Sequence, residues 1–246
     1  MINRRKKPTD KTRQNKKDKV VVVEHTLTSN SERVYKKATL KAHQKPVANF
    51  LRENNVSILL GEAGCAKDFI QMFRALDGLE NGEFEKIVIT KPIVEMGRSV
   101  GFMPGDERDK FAPYEKSFYN SISKISGRDN INSIRSKIIF EHVGFQRGNT
   151  FPEHSVIILS EAQNMTLHEL ISYTTRLPIS SRLFINADPL QSDIGKYSGL
   201  GDFINIMEGI DGVGVLELDP KIHQTRHRMI TDINRRYRRL LEKRGY

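Results

Sequence analysis

A glycine-rich turn followed by a lysine is the part of this sequence whose residue types and spacing point most directly to chemistry. Phosphate-binding loops have the pattern G-x-x-x-x-G-K-[ST] between a strand and a helix, because their glycines let backbone N–H groups surround phosphate oxygens. The following helix adds its positive N-terminal end, and the lysine reaches the β- and γ-phosphates. We therefore expect the phosphate-binding residues to be Gly61, Glu62, Ala63, Gly64, Cys65, Ala66, Lys67, Asp68 and Phe69.

Two positions of this loop differ from the usual pattern. Ala66 stands where the second glycine is expected, and it fits without strain only if its backbone φ is negative. Asp68 stands where a hydroxyl that binds magnesium is expected. A carboxylate there adds negative charge near the phosphates, so the function depends on whether the altered loop still holds a nucleotide.

A second acidic element follows the apolar run 155–159. In the Walker B pattern, a first acid after the strand helps to hold magnesium, and the next residue, a glutamate, orients or deprotonates the attacking water. Glu161 has the second position, which makes it the candidate catalytic residue, and Ser160 replaces the first acid. The loop and this strand end have thus exchanged a hydroxyl and a carboxylate. We predict that Asp68 and Ser160 face each other and bind Mg²⁺; the alternative is a site that has lost its metal.

A third polar turn follows the apolar run 182–186. It contains Asp188 and Gln191, at a position that senses the γ-phosphate in nucleotide-driven motors. The alternative is an ordinary turn at the end of a strand, because Asp-Pro is a frequent turn dipeptide.

Alternating strands and helices must position these turns. The apolar patterning predicts strands at 20–23, 56–60, 86–90, 137–142, 155–159, 182–186 and 213–218, and helices at 31–54, 68–79, 114–125, 167–175 and 229–243. Such alternation predicts an α/β fold with a mainly parallel sheet flanked by helices. We expect the helix at 229–243 to bury Ile230, Ile233, Tyr237, Leu240 and Leu241.

Charge is concentrated at the two ends of the chain. The net charge is +10, with nine Lys/Arg against two Asp in residues 1–19, and eight Lys/Arg against two acids in residues 226–244. Basic ends suit phosphate backbones, although solubility alone is an alternative explanation. We predict a disordered basic arm at 1–19 and one domain at 20–246. A single Cys argues against a disulfide framework, and no apolar run approaches the roughly 20 residues that span a bilayer, so we expect a cytoplasmic protein without membrane contact.

Six segments, taken together, resemble the PhoH-like ATPases, including the short single-domain versions found in phages. They are GEAGCAK (61–67), TKPIVE (90–95), GFMPGD (101–106), QRGNTF (146–151), LSEAQN (159–164) and DPLQ (188–191). The resemblance covers about residues 40–240. It implies a P-loop NTPase with a single RecA-like core, ATP and Mg²⁺ as ligands, and ATP hydrolysis coupled to single-stranded RNA or DNA.

The resemblance also implies roles for individual residues. Lys67 binds phosphates and Glu161 activates water, while Gln191 senses the γ-phosphate. Arg226 is a candidate for stabilising charge on the transferred phosphate. Gln44 lies where related proteins read adenine, which a side-chain amide can do through two hydrogen bonds.

Partners follow from the same resemblance. Lys91, Arg98 and Arg147, together with the basic arm and the helix at 229–243, are candidates for a groove that binds a single strand. A single RecA-like core usually needs a partner surface to complete its site, so we expect a homo-oligomer such as a ring, in the host cytoplasm if the protein is phage-encoded. The alternative function is a binding module without turnover. A nucleotide kinase would share the loop but not the Glu-Ala-Gln-Asn segment, and no lid segment is evident.

Overall fold

A parallel six-stranded sheet is the centre of the computed structural model, which describes residues 38–92, 107–127, 131–143, 150–227 and 229–243. The strands are β1 Val56–Leu60, β2 Lys86–Lys91, β3 Ile138–His142, β4 Ser155–Leu159, β5 Arg182–Ala187 and β6 Val213–Glu217. Their order across the sheet is β3-β2-β4-β5-β1-β6. The predicted α/β fold with a parallel sheet is confirmed.

Eight helices accompany the sheet in the described part of the chain. They are α1 Lys45–Glu53, α2 Lys67–Glu80, α3 Glu107–Ser126, α4 Ile131–Arg135, α5 Leu167–Thr174, α6 Leu200–Met207, α7 Pro220–His223 and α8 Met229–Lys243. Helices α1 to α4 pack on one face of the sheet, and α5 and α6 pack on the other.

The central strands are mostly apolar because both faces of the sheet are covered. In β4 all five residues are buried. Val156 and Ile158 point to the cluster that includes α1 to α4, whereas Ile157 and Leu159 point to the cluster that includes α5 and α6. A strand with two buried faces reads as a continuous hydrophobic run, which is why these strands could be predicted.

The strand order brings the polar turns to one edge. The phosphate-loop candidate follows β1, the Ser160-Glu161 pair follows β4, and β5 lies between those two strands. Because all strands are parallel, the three turns that follow them emerge at the same edge of the sheet. Ligands of open parallel sheets bind at this edge, where the strand order changes direction.

The helix predicted at 31–54 begins later than expected among the residues that the structure describes. Residues 38–41 are not helical, a short 3₁₀ turn covers Ala42–Gln44, and α1 begins only at Lys45. Pro46 explains this boundary, because proline fits the first turn of a helix but cannot donate a hydrogen bond further inside one. Helices α4, α6 and α7 were not predicted.

The buried face predicted for α8 is wrong in the middle of the helix. Ile233, Tyr237 and Leu240 are exposed, at 51%, 46% and 44%, whereas Ile230 and Leu241 near its ends are partly buried. Between those two, the polar Asn234 is partly buried instead of the predicted apolar residues. Polar contacts of Asn234, described below, account for this orientation.

Several predictions concern residues outside the described ranges. They include the basic arm at 1–19, the strand at 20–23, Arg98 and Arg147. The proposed division into an arm and a domain therefore stays a prediction. Among the helices that the structure describes, none combines the length and the apolar character needed to cross a bilayer.

Candidate functional site

The loop between β1 and α2 is held by one backbone hydrogen bond to β5 at its start and by one within its own turn. Gly61 N donates to Ala187 O of β5 at 3.2 Å, and Cys65 N donates to Glu62 O at 3.3 Å. The Cys65 side chain is buried, and burial raises the pKa of its thiol. Cys65 therefore serves as a small packed residue that fixes the turn, and Phe69 packs partly against the same core.

Ala66 adopts a left-handed backbone conformation, with φ 60° and ψ 24°. This turn of the loop therefore needs the positive φ that the usual glycine provides, and the negative φ that would suit alanine is not found. A non-glycine residue in this conformation is strained by about 1–2 kcal/mol.

Replacing Ala66 by Gly should stabilise the fold by less than about 1 kcal/mol. Relief of the strain is partly offset, because glycine gives the unfolded chain more freedom, which is worth about 0.4–1 kcal/mol. Urea unfolding measures the difference. Ala63→Gly is the matched control, since Ala63 lies in the same loop without a positive φ, and it should destabilise the protein. If Ala66→Gly lost as much stability as Ala63→Gly, the backbone at Ala66 would not be strained.

The side chain of Lys67 folds back into the loop that precedes it. Its side chain is buried, and Nζ donates to Gly61 O at 2.6 Å and to Glu62 O at 3.3 Å. Two loop carbonyls thus hold the ammonium group where phosphate oxygens would be bound in a phosphate loop. The buried carboxyl of Asp188 lies near this cation.

The pKa of Asp188 is raised by burial, against the opposing effects of Lys67 and of backbone N–H groups. A carboxyl with a raised pKa in the folded state contributes stability below its unfolded pKa, and that contribution is lost as the pH rises through the folded pKa. Asp188→Asn should therefore increase the free energy of unfolding at pH 7, with a gain that disappears below about pH 4. Asparagine keeps the acceptor for Leu190 N, which donates to Oδ1 at 3.1 Å. Urea unfolding at both pH values measures this, and a destabilised variant at pH 7 would show that pairing with Lys67 outweighs burial.

Asp68 and Ser160 are in direct contact. Ser160 Oγ donates to Asp68 Oδ1 at 2.8 Å, across 92 residues of sequence. The buried Asn186 at the end of β5 donates from Nδ2 to the same oxygen at 2.8 Å and to Gln71 Oε1 at 2.7 Å. The exchanged hydroxyl and carboxylate thus lie side by side, as the sequence hypothesis requires, and Asn186, which that hypothesis did not include, joins them.

Glu161 is held by neighbours on both sides. Its backbone is left-handed, with φ 61° and ψ 41°, a conformation that non-glycine residues keep mainly where the surroundings enforce it. Oε2 accepts from Gln163 Nε2 at 2.6 Å, and Oε1 lies 3.9 Å from Lys91 Nζ. The carboxylate is therefore oriented before any ligand binds.

Gln163 connects Glu161 to the turn after β5. Its side chain is buried, Nε2 also donates to Gln191 O at 3.2 Å, and Oε1 accepts from Asp188 N at 3.0 Å. Gln191 is thereby brought to the same edge as Glu161. Sequence reasoning noted Gln163 only as part of a motif and missed this connecting role.

The segment after α7 lies across the loop. Gln224 Nε2 donates to Ala63 O at 3.2 Å, and Thr225 N donates to Gly64 O at 2.9 Å. Gly64 has φ +94°, and a Cβ there would lie 2.1 Å from Gln224 Oε1, so only glycine fits. Arg226 follows directly, with its Cδ 3.2 Å from that Cβ position. The predicted arginine is therefore close to the loop within the same chain.

Glu62 receives two contacts from α8 that the sequence did not suggest. Its oxygens accept from Asn234 Nδ2 at 2.8 Å and from Arg238 Nη2 at 3.3 Å. Glu62 is buried, so these donors compensate a carboxylate that would otherwise be buried without partners. They attach α8 to the loop.

Gln44 is buried, and its Oε1 accepts from Lys41 N at 3.0 Å. The neighbouring His43 meets His223 of α7 with ring centroids 5.4 Å apart. The turn that carries Gln44 is thus linked through α7 to the segment that covers the loop. Recognition of adenine by Gln44 stays a prediction.

The oxygen ligands at the loop fit a magnesium ion. Mg²⁺ prefers carboxylate and hydroxyl oxygens, and it usually keeps several waters and takes one or two protein ligands together with phosphates. Asp68 and Ser160 provide such a pair. Among the described residues, no group of three or more His, Cys, Asp and Glu side chains is arranged to hold a metal alone, so binding would need the nucleotide's own oxygens.

A protein-family profile matches most of this chain. The profile described as PhoH-like protein matches residues 37–238. The chain belongs to the PhoH family. The resemblance inferred from the loop, the Glu-Ala-Gln-Asn segment and the later turn is confirmed, and the PhoH family accounts for most of the described domain.

Curated PhoH relatives are similar over much of this chain. The PhoH-like protein of Bacillus subtilis (strain 168) is 32% identical over 198 residues, which cover 79% of this chain and 61% of that protein. Protein PhoH of Escherichia coli (strain K12) is 33% identical over 162 residues, covering 63% and 46%. This chain therefore spans less than two thirds of the length of these relatives.

The similarities to solved structures are weaker. The large terminase of a thermophilic bacteriophage aligns with a TM-score of 0.49 at 10% identity, covering 81% of this chain and 50% of that one. The Pif1 helicase of Candida albicans aligns with a TM-score of 0.40 at 14% identity, covering 81% and 44%. At these scores the similarities say nothing about activity.

Proposed function

We propose that this PhoH-family protein binds ATP with Mg²⁺ at the loop 61–67 and hydrolyses it, and that its nucleotide state controls binding of a single-stranded nucleic acid. The observation that carries the proposal is the contact between Asp68 and Ser160 beside Lys67 and Glu161. Decay of a phosphate site would not be expected to keep the hydroxyl and carboxylate paired after exchanging them.

Each residue has a definite task in this proposal. The Lys67 ammonium leaves the carbonyls of Gly61 and Glu62 to neutralise phosphate oxygens. Asp68 and Ser160 hold Mg²⁺, which when bound neutralises charge on the phosphates. Glu161, oriented by Gln163, directs the attacking water in line with the bond that breaks and takes up its proton.

The segment over the loop supplies a further charge. Arg226 lies near Gly64 in the same chain, so it can stabilise charge on the transferred phosphoryl group without a second subunit. Gln191 is connected to Glu161 through Gln163 and can report the γ-phosphate to the turn after β5.

Further parts of the proposal concern partners and location. The net charge of +10 supports a nucleic-acid partner. A homo-oligomer and a cytoplasmic location complete the proposal, and light scattering after size exclusion measures the assembly in solution.

The test is phosphate release from purified protein with ATP, with and without Mg²⁺ and single-stranded RNA. Lys67→Ala excludes contaminating activity, and Lys124→Ala, which removes an exposed lysine of α3, is the matched control. We expect Mg²⁺-dependent turnover in the wild type and in Lys124→Ala, and none in Lys67→Ala.

A second function is favoured by the strained Ala66 and the buried Lys67. In that case the protein binds nucleotide or nucleic acid without turnover. ATP binding in the wild type without phosphate release above Lys67→Ala would establish that module and overturn the ATPase. Absence of both ATP binding and single-strand binding would overturn both functions.

A further inference from the structure

We infer that a cleft beside Glu161 is the binding site for a single strand of nucleic acid, and that Lys91 couples strand binding to ATP hydrolysis. This inference rests on the proposed function. The cleft has a volume of about 410 Å³ and lies between the ends of β2 and β4, α3 and α8, with Lys91, Tyr114, Glu161, Gln191 and Tyr237 in its lining. Within the described residues, the loop 61–67 contributes nothing to that lining, and the cleft meets the proposed nucleotide site at Glu161 and Gln191.

Two tyrosines make the walls suitable for bases. Tyr114 comes from α3 and Tyr237 from α8, and Tyr237 is 46% exposed. Tyr237 belongs to the side of α8 that was expected to be buried and is not. Aromatic side chains beside a cation are the usual way in which proteins bind single strands without reading their sequence.

Lys91 provides the cation. Its Nζ lies 4.4 Å from the centre of the Tyr114 ring and 3.9 Å from Glu161 Oε1. The ammonium group is thus shared between an aromatic wall of the cleft and the residue proposed to activate water. Arginines occur on the same helix as Tyr237.

Two carboxylates in the lining of the cleft would repel a run of phosphates, so the lining favours a base. Asp193 is engaged, since its Oδ2 accepts from Asn164 Nδ2 at 3.2 Å. Glu161 is engaged by Gln163 and Lys91. We therefore place a base between the tyrosines and a single phosphate on Lys91.

This placement couples the two sites. A phosphate that pairs with Lys91 competes with Glu161 for the same ammonium group. Once Lys91 is withdrawn, Oε1 of Glu161 is available to the attacking water while Gln163 still holds Oε2, so a bound strand accelerates hydrolysis. Without a strand, the ion pair keeps Oε1 beside Lys91.

The test measures binding of fluorescein-labelled single strands of about 12 nucleotides by anisotropy, a length within the range of site sizes for such proteins. RNA and DNA of equal sequence are compared, and binding is followed over a range of salt concentrations. Tyr237→Ala should lower the affinity about tenfold, whereas Tyr237→Phe should keep it. Tyr197→Ala is the matched control, because Tyr197 is 69% exposed beside Lys196 and does not line the cleft.

Lys91→Met tests the coupling. It should reduce the slope of log affinity against log salt by about one and abolish stimulation of ATP turnover by the strand. Turnover without a strand should rise about two- to fivefold, the range that a partly exposed ion pair accounts for. A purely structural role of Lys91 would lower turnover instead.

Two results would overturn the inference. If the wild type binds a strand and is stimulated by it, but Tyr237→Ala and Lys91→Met behave like the wild type, the strand binds elsewhere and the ATPase proposal stands. If the wild type hydrolyses ATP and binds no strand, both this inference and the strand part of the proposed function fail.

Discussion

Replacing Glu161 by Gln should reduce ATP turnover by about 100- to 10,000-fold while ATP still binds. A positioned acid–base residue contributes about that factor to a reaction, and glutamine keeps the size and the hydrogen-bond acceptor of glutamate but cannot take a proton. Because Oε2 of Glu161 accepts from Gln163 Nε2 at 2.6 Å, the amide can keep this contact and the fold. Phosphate release measures turnover, and equilibrium titration with a fluorescent ATP analogue measures binding.

Glu208→Gln is the matched control for that experiment. Glu208 is an exposed acid at the end of α6, so its variant should bind and turn over ATP as the wild type does. Turnover by Glu161→Gln within a few fold of Glu208→Gln would remove Glu161 from the mechanism. If Glu161→Gln lost both ATP binding and turnover, Glu161 would instead help to hold the nucleotide.

Exchanging the residue types at positions 68 and 160 gives the usual arrangement of the hydroxyl and the carboxylate. This double change should recover the Mg²⁺-dependent ATP binding that either single substitution weakens. Asp68→Ser removes the only carboxylate of the pair and should weaken Mg²⁺-dependent ATP binding by at least about 100-fold, since even outer partners of a metal contribute 10- to 100-fold. Ser160→Asp places a second carboxylate where Ser160 Oγ is now 2.8 Å from Asp68 Oδ1. Two carboxylates at that separation cannot both ionise easily.

The double variant Asp68→Ser with Ser160→Asp is the informative member of this cycle. It should recover most of the Mg²⁺-dependent affinity, because Asn186 contacts both positions and a flip of its amide would turn the Nδ2 donor from position 68 to a carboxylate at position 160. The four proteins form a double-mutant cycle, and we expect a coupling energy of about 0.5–3 kcal/mol. A double variant that binds as weakly as the sum of the single changes predicts would show that the two residues are not a functional pair.

The sequence was sufficient for the sheet and for the edge that carries the site. Strands β1 and β4 were predicted with the bounds that the structure has, because strands covered on both faces appear as short, mostly apolar runs. The positions of Lys67, Asp68 and Glu161 followed from those strands. Their chemical roles stay predictions.

Side-chain orientation on α8 could not be predicted from periodicity. Its bounds were correct, but hydrophobic spacing assumes that the apolar side of a helix faces the core. Here Glu62 is buried and draws Asn234 and Arg238 towards it, over sequence separations of 172 and 176 residues. No local pattern indicates such a distant polar contact.

Helix α6 illustrates a signal that was present and overlooked. Leu200, Phe203 and Met207 are buried at helical spacing, in a run of only eight residues. The positive φ at Ala66, by contrast, is not indicated by the residue type. Only comparison with the usual glycine suggested that a positive φ was needed there.

The position of β1 has a consequence for synthesis of the chain. Its neighbours in the sheet are β5 and β6, so Val56 pairs with Leu183 and Val213. Pairings this distant along the chain make folding slow, because a large loop must close before they form. During translation the loop 61–67 therefore emerges long before the strands that hold it. We expect a nascent chain that ends before β5 to have no nucleotide site, which leaves ATP no means of assisting the earliest folding steps.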